Sequence, residues 1–477
     1  MDGDMAKYDL ILSGGTVLDP ANDFEGIADV GVKDGLISRV APDLDPFDGE
    51  EIVDMTGRWV MPGQIDTHAH VAGLSRNWDP ALGYAMLARA GTTTVLDMAG
   101  TGPTLIDGIK RKGAGLNVAC LYALIPGVTM PVGEPSSSVA RDIVSGALKQ
   151  GCFGVKILGG YYPFSPNTTG DVVRASNDQL AYVAFHIGTR ESGSHLGGMR
   201  EIPEIVGKGR LHVAHVNSYC RGVIEDADAE CEETLDILEN MRGQLNTEAY
   251  HAVQNGTSGS CDGEGFVMAN VSRNCLAQRG YSPTREGMNQ AIADGYASVI
   301  AQRGGHVVYL KSKEALAMYE RENTHVGVSF PVNLPSSAFK LTTAKNDSGE
   351  FIVDAVATDG GCHPRNVAIQ TSMALVKFGA LSPLEMATKL SLTPALMLGL
   401  PNKGHFSEGA DADVTVIDPQ TNEPTMSFVA GKPIMVDGQV VGTGGNLLVT
   451  RAGQRSAKAS GLPYQIVDIA GTKLYAG

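Results

Sequence analysis

Nowhere in the 477 residues do about 18 apolar side chains run together, the length a helix needs to cross a bilayer. Met1 to Asp9 carries three aspartates and no apolar stretch long enough for a signal peptide, so a soluble, cytoplasmic protein without a membrane partner is expected. There is no basic cluster to neutralise phosphates: 37 Lys and Arg stand against 53 Asp and Glu, and the net charge of -16 is spread along the chain. Nucleic acid is therefore excluded as an expected partner. CxxC spacing is also missing. The seven cysteines, Cys120, Cys152, Cys220, Cys231, Cys261, Cys275 and Cys362, are odd in number and scattered, which fits free thiols in a reducing compartment. No glycine-rich stretch has P-loop or GxGxxG spacing, so nucleotide binding is not indicated. Glycine itself is abundant, at 59 residues, which points to many tight turns, and 43% hydrophobic with 19% charged residues is a globular composition. A chain of this length implies two domains or one large barrel with an attached module.

Both ends read as short strands broken by turns. The first part offers Tyr8 to Ser13, a Gly14-Gly15 turn, Thr16 to Leu18, Ile27 to Val32, Leu36 to Val40 and Glu51 to Asp54; the last offers Ala412 to Asp418 and Pro433 to Val441 with an Asp437-Gly438 hairpin turn. Residues 1–60 and 400–477 are thus expected to share one small β-sandwich. Between them strand-like and helix-like segments alternate, with candidate strands at 60–68, 92–98, 117–125, 152–158, 192–196, 210–217, 244–250 and 352–358. Eight such strands predict an α/β fold, a (β/α)₈ TIM barrel over 61–399. The surplus at about 254–350 is too long for a plain loop and is expected to form helices over the active-site mouth.

The segment from Trp59 to His70 is an apolar strand ending in His68-Ala69-His70. Residues two apart on a strand face one side, so both imidazoles can aim at one point, as a catalytic metal site requires. Catalytic groups of such barrels gather at the C-terminal strand ends. There the sequence offers Lys156, His195 in Gly193-Ser194-His195-Leu196, His215 ending Leu211 to Asn217, and Asp359 before Gly360. Taken singly, Lys156 reads equally as a lysine at the barrel rim or a phosphate ligand, and Asp359 as a turn residue. His212, three residues from His215, should point to the opposite side, toward the surrounding helices; His186, His306, His325 and His405 are assigned to helices or outer segments. His251 and His363 follow strands seven and eight, where either can touch substrate. Gly159-Gly160 would let substrate approach the backbone, with Tyr161 and Tyr162 as hydrogen-bond donors or as loop packing.

Together these motifs resemble the amidohydrolase superfamily across nearly the whole chain: Pro62-Gly63-Gln64-Ile65-Asp66-Thr67-His68-Ala69-His70, a strand-four lysine, single histidines on strands five and six, a strand-eight aspartate, and Glu408-Gly409-Ala410-Asp411-Ala412-Asp413. The resemblance implies a binuclear centre of two divalent ions, with zinc expected: His68 and His70 on one, His195 and His215 on the other, Lys156 bridging and Asp359 as ligand and proton shuttle. An ammonium repels cations, so Lys156 is expected as the carbamate formed with carbon dioxide after burial lowers its pKa. Two metals sharing a water lower its pKa toward about 7, and the resulting hydroxide attacks an amide carbonyl while Asp359 moves the proton to the departing nitrogen.

The lysine-bearing arrangement looks like that of dihydroorotases, hydantoinases, isoaspartyl dipeptidases and D-aminoacylases. This implies hydrolysis of a carbon–nitrogen bond other than a peptide bond, in an N-acyl or N-carbamoyl amino acid or a related cyclic amide. Two departures stand out: Ser218, not arginine, follows Asn217, and strand two reads Val95-Leu96-Asp97-Met98 without a cysteine. Asn217 and Arg221 join the substrate-binding candidates, and Arg200, Arg221 and Arg365 can pair with a carboxylate. A mononuclear deaminase of the same superfamily and a metal-free scaffold are the alternatives. Relatives imply a homo-oligomer, a dimer or tetramer.

Overall fold

Buried apolar runs separated by capped amphipathic helices build the centre of the protein, whose computed structural model describes residues 6–73 and 79–476. Eight parallel strands follow one another around a barrel: β1 (Gln64–His70), β2 (Thr92–Asp97), β3 (Ala114–Ala123), β4 (Gly154–Leu158), β5 (Tyr182–His186), β6 (Leu211–Val213), β7 (Leu245–Tyr250) and β8 (Ala355–Ala357). Gly360–Gly361, just past β8, pairs with Ala69 and His70 of β1 and closes the ring. The outer helices bury one face each. Ser137–Lys149, capped by Ser136, buries Ala140, Val144, Ala147 and Leu148 against the sheet.

Seven of the eight strands overlap the expected segments. The fifth does not: residues 192–196 form turns and the start of a short helix (Leu196–Arg200), and the strand lies upstream in Tyr182–His186. Aromatic and β-branched side chains that bury fully favour a strand at Tyr182-Val183-Ala184-Phe185, whereas Gly193-Ser194 offers nothing to pack.

A nine-stranded sheet unites the two chain ends, with Val414–Asp418 antiparallel to Trp59–Pro62 at the junction. Gly14-Gly15 is a bulge inside one long strand, Tyr8–Asp19, rather than a turn between two. Asp437 and Gly438 both take positive φ, as a two-residue hairpin turn demands. This sheet ends at Val440. Beyond it Gly444–Thr450 runs parallel to β3 and then pairs with Tyr464–Val467, because Leu447, Leu448 and Val449 bury against the barrel.

The segment at 254–350 contains the helices Asn270–Ala277, Arg285–Ala293 and Ser312–Arg321, together with a four-stranded antiparallel sheet the sequence reading lacks. Leu276, Met288, Ile292, Val299, Tyr319 and Val328 give this unit a core of its own. Among the described residues no helix is long and apolar enough to cross a membrane.

Candidate metal centre

Parallel strands put their C-terminal ends at one rim, and there the chain converges. His68 and His70 leave β1 on the same side, with ring centroids 5.1 Å apart. The His68 ring stacks at 5.1 Å on that of His215, just past β6, and His215 lies 4.5 Å from His186 at the end of β5. Asp359, just past β8, reaches both β1 histidines: its Oδ1 is 2.8 Å from His70 Nε2 and 3.4 Å from His68 Nε2. Ligand atoms of His68, His215 and Asp359 all lie within 4.8 Å of one another. Lys156 of β4 faces the same cavity of about 90 Å³, with Met98, Ile125, Tyr161, Tyr162 and His363 also on its walls.

His215 and Asp359 both adopt left-handed backbone, φ 38° and 48°. Each terminates a three-residue strand and turns its side chain back across the rim, a conformation that costs about 1 kcal/mol or more for a residue with a Cβ.

Burial decides the electrostatics. Desolvation, aided by the charge of Lys156, holds His68 well below the ordinary histidine range and His186 at about 3; desolvation, then His186, does the same to His215. Burial thus favours the neutral imidazole in all three; His186 Nε2 lies 3.1 Å from Ser194 Oγ and His215 Nδ1 lies 3.1 Å from the Tyr219 hydroxyl, while His68 Nε2 has no hydrogen-bond partner. Desolvation also lowers Lys156 to about 8, against the opposing pull of Glu248 and Asp359, and its Nζ contacts the thioether of Met98 at 3.2 Å. Burial works against ionised Asp359, but Arg365, His68 and His70 outweigh it and hold the carboxyl well below the usual range. Arg365 Nη2 lies 2.6 Å from Asp359 Oδ2 and its Nε donates to the Asp359 carbonyl.

The structure redistributes several expected residues. His195 is the N-cap of Leu196–Arg200, where its Nδ1 accepts from Gly197 N at 3.1 Å. It lines a wider neighbouring cavity of about 420 Å³ rather than the one holding Lys156. His186, assigned to an outer segment from sequence, occupies the strand-five position. The room left by Gly160 belongs to it: a Cβ there would stand 2.2 Å from His186 Nε2, so the glycine serves a side chain rather than substrate. His212 does not face the helices. In the row Lys156, Ala184, His212 and Asn246 it points into the barrel, because the chain turns sharply between Val213 and His215 and strand alternation does not extend that far. Asn217 accepts from Tyr250 N at 3.0 Å, a link between backbone segments outside both cavities. His251 is likewise outside them, held between Thr371 and Thr342. Arg200 pairs with Glu225 and Glu233 at the surface. Tyr161, Tyr162, Arg221 and His363 do line the cavities, with Tyr161 donating to Gly256 O at 2.7 Å and Arg221 to Asn333 Oδ1 at 2.6 and 3.0 Å.

Sequence reasoning missed Glu248 on β7. Fully buried and raised by desolvation to about 8, it accepts through Oε1 from His215 N at 2.7 Å, the same oxygen lies 2.7 Å from His68 Nδ1, and its Oε2 meets His212 Nε2. A glutamate in the middle of an otherwise buried strand, Leu245–Tyr250, was the available signal.

The chain matches the model of the Amidohydrolase family over residues 59–441 and belongs to that family. A dihydroorotase of Pelotomaculum thermopropionicum is 26% identical over 440 residues, 87% of this chain and 90% of that one. A D-aminoacylase of Alcaligenes xylosoxydans xylosoxydans is 24% identical over 467 residues, 89% and 91% of the two chains. Among solved structures, an N-acyl-D-glutamate deacylase of Bordetella bronchiseptica, complexed with zinc and a phosphonate inhibitor, shares the fold with a TM-score of 0.66 at 15% identity, covering 92% of this chain and 99% of that one. The protein is accordingly a hydrolase of carbon–nitrogen bonds other than peptide bonds.

Proposed function

We propose that the chain hydrolyses an N-acyl or N-carbamoyl amino acid, or a related cyclic amide, at a two-metal centre held by His68, His70, Lys156, His186, His215 and Asp359. The observation that carries this reading is that five of those side chains line one cavity and the sixth, His215, has its ring 5.1 Å from that of His68 and 4.5 Å from that of His186. The donor set fits divalent cations: three neutral imidazoles present lone pairs, His68 Nε2 is buried without a hydrogen-bond partner, and Asp359 adds a carboxylate. Nitrogen and oxygen ligands of this kind suit zinc.

Lys156 joins the set by chemistry rather than as an ammonium. Its depressed pKa leaves a neutral amine accessible, and addition of carbon dioxide with loss of a proton yields an anionic carbamate. Bound there, divalent cations supply Lewis-acid polarisation of the carbonyl and an acidified water. Asp359, kept ionised by Arg365, accepts the proton of the attacking water and returns it to the departing nitrogen. Tyr161, Arg221 and residues of the Asn270–Ala277 helix wall the 420 Å³ cavity, which has room for the part of the substrate beyond the scissile bond. The test is a panel of N-acyl amino acids, N-carbamoyl amino acids and cyclic amides presented to zinc-loaded protein. Turnover of one class is expected; no turnover of any class would sink the proposal.

A further inference from the structure

Beneath the metal ligands lies a continuous polar chain that neither substrate nor solvent reaches. Asn246 Nδ2 donates to Tyr182 Oη at 3.0 Å, and Tyr182 Oη lies 2.9 Å from His212 Nδ1. His212 Nε2 meets one oxygen of Glu248, and the other oxygen faces His68 Nδ1 and His215 N. His68, His212 and Glu248 are all completely buried.

Desolvation raises Glu248 to about 8, so its charge does not fix the protons here; geometry does, because the oxygen that takes the His215 N–H presents its remaining lone pair to His68 Nδ1. His68 then carries its proton on Nδ1, leaving the Nε2 lone pair directed toward Asp359. At the other oxygen His212 Nε2 and Glu248 share one proton, and Tyr182 Oη, which accepts from Asn246 Nδ2, holds the Nδ1 side of the His212 ring. The same carboxylate grips the backbone N–H of His215 at the point where φ is +38°, and so helps hold a left-handed turn on the far side of the cavity from β1.

We infer that Glu248 is the positioning residue of the metal centre: its Oε1, 2.7 Å from His68 Nδ1, selects the His68 tautomer that can coordinate through Nε2, and the contact of the same oxygen with His215 N fixes the turn that presents His215. This rests on the reading of His68 and His215 as metal ligands. Hydrogen bonds to the distal nitrogen of a metal-bound imidazole orient the ring and raise its basicity, and losing one costs about 10–100-fold in affinity or activity. The competing explanation is structural: Glu248 only satisfies a buried His212. The two differ in what a neutral replacement does. Glu248→Gln keeps the shape but turns an acceptor into an amide donor that confronts a histidine N–H.

The experiment is zinc titration of metal-free protein against a chromophoric chelator, with thermal melting of the metal-free form alongside. Glu248→Gln is expected to fold, shown by a cooperative melt of the metal-free form, and to bind zinc about 10–100-fold more weakly. Tyr182→Phe removes only the hydroxyl that holds the Nδ1 side of the His212 ring and is expected to weaken zinc a few-fold in the same direction. Parent-like zinc affinity in a folded Glu248→Gln would overturn the inference. If that variant does not fold, parent-like affinity in Tyr182→Phe would overturn it instead. Zinc binding is read without any amide, so an inactive parent that still binds zinc counts against the proposed substrate and not against Glu248.

Discussion

The protein buries two lysines completely and uses them differently. Lys156 on β4 and Lys389, in the helical segment Thr388–Leu392 behind β8, both have depressed pKa values, about 8 and about 7, with desolvation the main cause in each. Lys389 is at home: its Nζ donates to Val353 O at 2.6 Å and lies 3.9 Å from the centre of the Phe351 ring. Lys156 faces an open cavity with histidines and an aspartate around it. Burial alone therefore identifies neither role. What separates them is whether the nitrogen already has its acceptor or looks onto space where a small molecule can reach it.

The sharpest way to break this comparison is to remove each amine. Lys156→Ala is expected to lose at least one of two zinc equivalents by elemental analysis and to drop kcat/KM by about 10³-fold or more, since a bridging anion has no substitute nearby. An unchanged zinc content would make Lys156 a second Lys389.

A comparison nearly as large sets His186 against His195. The proposal requires His186→Ala to lose zinc and about 10²-fold in kcat/KM, while His195→Ala leaves zinc content intact and changes KM by a few-fold through the wider cavity. The reverse pattern would restore the sequence assignment.

That assignment shows where legibility stops. The β1 pair, His68 and His70, was readable because strand alternation carries straight to its end, and the order of strands was readable because seven apolar runs fall at barrel spacing. His186 was hidden by an expected strand ten residues too late, although Tyr182 to Phe185 already supplied the aromatic and β-branched run. The hairpin Ser298–Arg303, Gly304-Gly305, His306–Leu310 was likewise written in alternating residues around two glycines of positive φ, yet the insertion was read as helical. Glu248 and His212 are another matter. Their roles depend on β6 being only three residues long, a tertiary fact that local pattern does not encode.

A smaller perturbation tests the packing that sets His186. Gly160→Ala places a methyl group 2.2 Å from His186 Nε2 and 2.6 Å from Cδ2, so the ring has to move. Overpacking of this kind costs about 1–3 kcal/mol. Zinc affinity is expected to fall about tenfold while the far β1 side is undisturbed. Parent-like zinc affinity in a folded variant would show that the glycine leaves more slack than its surroundings suggest.

The weakest effect belongs to Lys389 and appears only in stability. Its folded pKa of about 7 is below the unfolded value of 10.5, so between these values the unfolded state binds more protons and stability rises with pH. Below about 7 the amine is charged in both states and the burial penalty is constant. Asp354 and Glu385 favour the charged form and Lys345 disfavours it, and none of the three contributes as much as desolvation. Denaturant midpoints for the parent are expected to climb from pH 7 to pH 9 by an amount that Lys389→Met removes, a difference of about 1–3 kcal/mol, with activity at pH 7 unchanged. Methionine fills the same space beside Phe351 without a charge, so a variant whose stability still climbs by the parent's amount would assign the slope to other groups.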